Sequence, residues 1–317
     1  MIHPVDNGFQ EALAIVSDAK ASAERHCRAF GYSLLWEGGS DAGMLAQLGL
    51  PGDTGREVLI GDPSQARGFI RFLELVGRDE GLMRDGAQPW DAGGIYDVNV
   101  RSLGPLEVMN RAMQKAGHVA FGPLTAWDFG PLSVKEVVLR DTDGLAFALM
   151  ERVAPPLTGY EHVAGHASYV FNSTQLVADF DAARRFYVEG LGWGTVTETE
   201  MVHENGGLNC LGLPLDVARS TKMRIGIYQQ NGLNEGSVEL VSLACEGMDY
   251  SASRPPLRGW ASLRFPVGDP AAVLAKAAAA GCEVTAVRTM RIEPYGAVEM
   301  GAATTPWGAR LEFYRAA

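Results

Sequence analysis

The sequence predicts an α+β protein made of four copies of one βαβββ unit, paired into two cupped eight-stranded mixed sheets with helices outside. Three observations predict this. Four times a helix-like stretch ends at a glycine that leads at once into a strand-like run. Each helix follows a short apolar strand. Each unit closes on a β-rich run broken by hairpin-turn residues.

The first strands are ALAIVS (12–17), GIYDVNV (94–100), HASYVF (166–171) and WASLRFPV (260–267). The helices that follow are AERHCRAF before Gly31, LEVMNRAMQKA before Gly117, FDAARRFYVEGL before Gly192 and AAVLAKAAAA before Gly281. A glycine just past the last turn is the usual left-handed helix cap, since it has no Cβ to clash at positive φ. The caps lie 86 (31 to 117), 75 (117 to 192) and 89 (192 to 281) residues apart, which sets the length of the unit. The closing runs are 56–75, 135–151, 223–243 and 297–314, with Asp-Pro, Asp-Gly, Asn-Gly and Pro-Trp-Gly as their turns. Two prolines and a glycine in ERVAPPLTGYEH (151–162) predict a boundary between a domain at 1–153 and one at 160–317, each of two units. One unit alone could not cover both faces of its sheet.

Composition narrows the function. The 317 residues carry 27 Lys+Arg against 38 Asp+Glu, a net charge of -11. Such a surplus repels phosphate backbones and anionic lipid over a Debye length of about 8 Å, which argues against nucleic-acid and membrane partners. No run of about 18 apolar residues predicts a spanning helix. MIHPVDNGF reads as no secretory leader, and Cys27, Cys210, Cys245 and Cys282 stand singly, so the expectation is a cytoplasmic protein with reduced thiols. No GxGxxG in a strand-to-helix turn, GxxxxGK[ST] or GxSxG motif points to dinucleotide binding, a phosphate loop or a serine hydrolase.

The strand GHASYVF (165–171) matches GWASLRF (259–265) at four of seven positions, and TTPWGARLEFY (304–314) closes the fourth unit. With FDAARRFYVEGLGW, these segments resemble the vicinal oxygen chelate superfamily, which includes glyoxalase I, extradiol dioxygenases and the bleomycin resistance proteins. The resemblance is sharpest from about residue 160. It implies a divalent metal (Fe, Mn, Zn, Ni or Mg) held by the first and last strands of two paired units. On that alignment the ligands are His166, Glu239 and Glu312, with either glutamate doubling as the catalytic base. Trp260 takes the fourth position, where an extradiol dioxygenase has a second histidine; it would instead line the substrate cavity. Arg224, Arg264 and Arg288 are candidate anchors for a substrate carboxylate. The remaining histidines, His203 in a loop among them, carry less weight.

In the first half the same positions read Glu11, Arg71, Ile95 and Ala148, which cannot hold a metal and imply a degenerate domain: either Glu11 and Arg71 form an ion pair in place of a lost site, or the register is off by one. The expected activity is lyase-like, isomerase-like or ring-cleaving chemistry on a small oxygenated, in one variant aromatic, substrate chelated through two oxygens. Two alternatives stand beside it, an extradiol-type dioxygenase and a metal-free small-molecule-binding protein. The partner is a small molecule, and the reading allows a homodimer.

Overall fold

The computed structural model describes all residues except 1–4, 6, 130, 131 and 203–208; His203 lies outside the described residues. The first unit contains β1 (Glu11–Val16), α1 (Ala19–Phe30), β2 (Ser33–Gly39), a short α2 (Ala42–Gln47), β3 (Gly55–Gly61) and β4 (Phe69–Leu75). The second contains β5 (Ile95–Ser102), α3 (Leu106–Lys115), β6 (Val119–Ala120), β7 (Thr125–Phe129), β8 (Leu132–Arg140) and β9 (Ala146–Ala154). The third contains β10 (Ala167–Leu176), α4 (Phe180–Arg185) continued by a π turn (Phe186–Gly190), β11 (Gly194–Met201), α5 (Leu215–Ala218), β12 (Met223–Gln229) and β13 (Ser237–Leu243). The fourth contains β14 (Gly259–Pro266), α6 (Pro270–Ala279), β15 (Glu283–Val284), β16 (Arg288–Ile292), β17 (Gly296–Thr304) and β18 (Arg310–Ala316).

Local chemistry explains the helix limits. Asp18, Asp179 and Asp269 cap the starts of α1, α4 and α6, each accepting from a backbone N–H three residues on. Gly31 ends α1 in the left-handed conformation at φ 77°, its N–H bonded to the Cys27 carbonyl. All four cysteines are free. No helix among the described residues is long and apolar enough to cross a membrane.

The four units are as predicted, but their pairing is not. One sheet runs β15-β17-β18-β14-β1-β4-β3-β2 with β16 added on β17; the other runs β11-β12-β13-β10-β5-β9-β8-β6 with β7 added on β8. Unit one therefore pairs with unit four, through antiparallel β1 and β14, and unit two with unit three, through β5 and β10. The expected domains at 1–153 and 160–317 are corrected accordingly, since each sheet draws one unit from either side of that boundary. Strand periodicity fixes which face is buried, and leaves open which edge a strand adopts as neighbour.

The largest apolar cluster lies between the sheets. It joins Ala14, Phe72 and Leu311 of one sheet to Val98, Phe147 and Leu240 of the other through Phe30, Met113, Phe186 and Leu274 of the helix layer. Trp260 crosses this layer, its indole N–H donating to the Ala146 carbonyl at 3.0 Å. Two smaller clusters line the two cups, one around Leu13, Leu73 and Met300, the other around Tyr96, Val138 and Ile225.

Candidate functional site

The two cups correspond residue by residue through their ladders. Glu11 faces Arg264 across β1 and β14, as Asp97 faces Thr174 across β5 and β10. Arg264 neighbours Glu312 in parallel β18, as Thr174 neighbours Glu239 in β13. Leu13 neighbours Arg71 in β4, as Asn99 neighbours Ala148 in β9. Leu59 faces Arg71 and Val138 faces Ala148, which makes Glu57 and Glu136, two residues earlier, equivalent as well. Both cups thus carry three acids at matching places: Glu11, Glu57 and Glu312 in one, Asp97, Glu136 and Glu239 in the other.

The cup of units one and four is sealed by its own cations. Arg71 grips Glu11 with Nε at 2.7 Å and Nη2 at 3.0 Å, and reaches Glu57 at 2.7 Å. Arg264 binds Glu11 and Glu312, each at 2.6 Å, and Arg310 adds a contact to Glu312 at 3.2 Å. Tyr295 donates to Glu11 at 2.7 Å. Glu11, Arg71, Arg264 and Glu312 are wholly buried. Burial alone would raise the Glu11 carboxyl, yet Arg71 and Arg264 hold it down to about 2. Burial likewise opposes the charge on Glu312, and Arg264 and Arg310 outweigh it, lowering its pKa.

In the cup of units two and three, Ala148 and Thr174 stand where the other has Arg71 and Arg264. A cavity of about 100 Å³ remains, lined by Asp97, Glu136 and Glu239 with Tyr96, Trp127 and Phe171 among the apolar walls. Asn99 donates to Asn172 and Thr174, and Asn172 to Glu239 at 3.4 Å. Oδ1 of Asp97, 3% exposed, has no hydrogen-bond partner. Burial pushes Asp97 up to about 7; burial and the Asp97 charge do the same to Glu136; burial with both neighbours raises Glu239 well above the carboxylate range. Arg101 and Arg152 line the same cavity without ion-pairing to these acids; Arg101 lies on the Phe171 ring at 3.5 Å and donates to the Tyr160 hydroxyl.

The glyoxalase/bleomycin resistance protein/dioxygenase superfamily matches residues 159–313. Residues 159–313 of the chain belong to this superfamily. Maize glyoxalase I is similar over the whole fold, at 13% identity and TM-score 0.64, covering 98% of this chain and 92% of that one. A putative dioxygenase from Bacillus subtilis is similar at 13% identity and TM-score 0.58, covering 97% and 84%. No curated protein matches. At this identity the likeness shows the fold, and the superfamily's chemistry has to be argued from the side chains present.

The residues that this superfamily fold would offer a metal do not fit one. One cup presents two guanidinium groups at the inner positions. The other presents two carboxylates, a hydroxyl and a methyl group, and even with Glu136 its three acids do not bring their oxygens within 4.8 Å of one another. Among the described residues, the group of three or more ligand-type side chains whose donor atoms lie within 4.8 Å of one another is His26, His118 and Asp141, which belongs to neither cup. His26 in α1 and His118 after α3 meet between the helix layers, Nε2 to Nε2 at 3.2 Å. Their Nδ1 atoms face the Ser22 and Met113 carbonyls, which can only accept. Two lone pairs are left facing each other, and a proton or cation between them would reconcile the pair. Burial keeps His26 well below its ordinary pKa and His118 down at about 4.

The ligand set expected from the sequence is not brought together. Glu239 and Glu312 lie in different cups, and His166 is exposed just before β10, its backbone bonded to Phe30 and Leu103. Glu312, expected as a metal ligand and base, is held by two arginines. Arg264, expected as a substrate anchor, is one of them and is buried. Arg224 is paired with Asp181 at 2.8 Å and lies over the Phe180 ring, away from both cavities. Arg288 is exposed on β16. Trp260 does line a cavity, of about 400 Å³ with Arg84, Arg254 and Arg310, while its N–H stays committed to Ala146. The ion pair expected between Glu11 and Arg71 is present. Asp97 and Glu136 were missed, though an acid inside each of the apolar runs IYDVNV and KEVVL marked them.

Proposed function

We propose that this chain is a small-molecule-binding member of its superfamily that works through the cup of units two and three without a metal at the superfamily's ligand positions. One observation carries this reading: of two equivalent cups, one is filled by its own arginines and the other keeps a cavity with three acids, none of them ion-paired among the described residues. The test follows tryptophan emission, with Trp127 in the wall as reporter, during titration with benzamide, benzamidine and benzoate in the presence of EDTA. A saturable change with at least one of them, lost in Trp127→Phe, is expected. No response to any of the three overturns the reading.

A second reading is favoured by Asp97 and Glu136, both pushed up to about 7. Carboxyl groups at that value exchange protons efficiently near neutral pH, so the same cup suits metal-free isomerisation at a carbon acid. Solvent deuterium entering a bound carbon acid, and lost in Glu136→Gln, is the result that distinguishes catalysis from binding alone.

A further inference from the structure

The sealed cup shows what the open one lacks. Arg71 and Arg264 each bridge two carboxylates, Glu11 with Glu57 and Glu11 with Glu312. A planar guanidinium suits this task because its five donors spread outward and reach separate oxygens at once. At the matching places the open cup keeps the three acids and loses both cations. Asp97, one methylene shorter than Glu11, widens the space further.

We propose that the cup of units two and three binds an organic cation, a guanidinium or amidinium head on an apolar body, in the space that arginine side chains occupy in the other cup. This deepens the proposed binding function and rests on it. The orphaned, nearly buried Oδ1 of Asp97 lies on the cavity wall and supplies an acceptor for such a head. Glu136 is met by Cys210 Sγ, a weak donor, at 3.6 Å, and Glu239 by an amide at 3.4 Å, so neither has a cation. The three acids do not form a group with oxygens within 4.8 Å, which suits a spread donor rather than a point charge. Arg101 and Arg152 each sit four residues beyond the inner positions of their strands, about 13 Å along a strand, and leave the acidic end without an ion pair. Trp127, on a strand flanking the cup, offers a ring for the cation or its body, as Trp36 does for Arg71 at 5.5 Å.

The test compares ligands of one shape and three charges. Titration calorimetry on the full chain should show benzamidine binding at least about tenfold more tightly than neutral benzamide, with anionic benzoate weakest. Asp97→Asn with Glu136→Gln, which preserves shape, should bring benzamidine down to the level of benzamide. Ala148→Arg, which places a guanidinium where Arg71 stands in the other cup, should block benzamidine. Equal affinity for benzamidine and benzamide overturns the cation and leaves the binding cup intact, whereas failure of all three ligands overturns both. Should the variants not fold, the benzamidine-to-benzamide ratio on the unaltered chain decides alone.

Discussion

Glu11 is the hub of the sealed cup, and Glu11→Gln removes its charge while keeping its shape. The carboxylate accepts four hydrogen bonds, three from arginines and one from Tyr295. Its fall from 4.5 to about 2 corresponds to about 3 kcal/mol favouring the charged form. Removing one partner of a buried ion pair costs about 3–5 kcal/mol, because the guanidinium groups stay buried without it. We expect a loss of about 3 kcal/mol at pH 7, or a midpoint about 6 °C lower at about 2 °C per kcal/mol for a chain of this size. The folded value lies below the unfolded one, so the contribution is complete above pH 4.5 and is lost as pH falls towards 2. Urea unfolding followed by circular dichroism at pH 7 and pH 3 should show a wide gap between parent and variant that narrows in acid. A difference under about 1 kcal/mol at pH 7 would refute the assignment of Glu11 as hub.

Three further outcomes are expected. Asp97→Asn should raise stability at pH 8 and leave it nearly unchanged at pH 4. A carboxyl raised from 3.8 to about 7 on folding destabilises progressively as pH climbs through that window, by at most about 4 kcal/mol, and thermal melts at the two pH values check it. Residues 1–153 and 160–317 made separately should each fail to give a cooperative melt, and mixing them should restore one, because β1 and β5 find their partners in the other half. Trp260→Phe should cost about 1–2 kcal/mol in a urea titration, since the Ala146 carbonyl is left buried without its donor.

What the sequence revealed was local. The glycines at 31, 117, 192 and 281 announce helix ends because a positive φ is a property of one residue, and all four adopt it. The ion pair of Glu11 and Arg71 was legible as one of two readings, because opposite charges at paired strand positions have little else to do in a core. The site itself was obscured by register. The match of GHASYVF to GWASLRF put His166 opposite Trp260, yet the ladders align Thr174 with Arg264. Counting back from the helix caps would have shown this, for Thr174 lies five residues before Asp179 and Arg264 five before Asp269. The four-residue offset has two equal parts: GHASYVF starts two residues before β10 whereas GWASLRF starts with β14, and β10 (Ala167–Leu176) is two residues longer than β14 (Gly259–Pro266). Partner choice was hidden for a different reason: it depends on contacts between residues as far apart as Glu11 and Arg264, 253 positions along the chain.

The nested pairing bears on how the molecule is made. Units two and three are neighbours in the chain, so their sheet can close while the ribosome is still extending unit four. Unit one leaves the ribosome before the other three and then waits, the outer edge of β1 unpaired, until β14 and β18 emerge. The open cup is thus the inner bracket of the chain and the arginine-filled cup the outer one. A chain stopped after unit three would lose far more than unit four: it would strand unit one as well, and leave the inner cup as the largest piece able to stand.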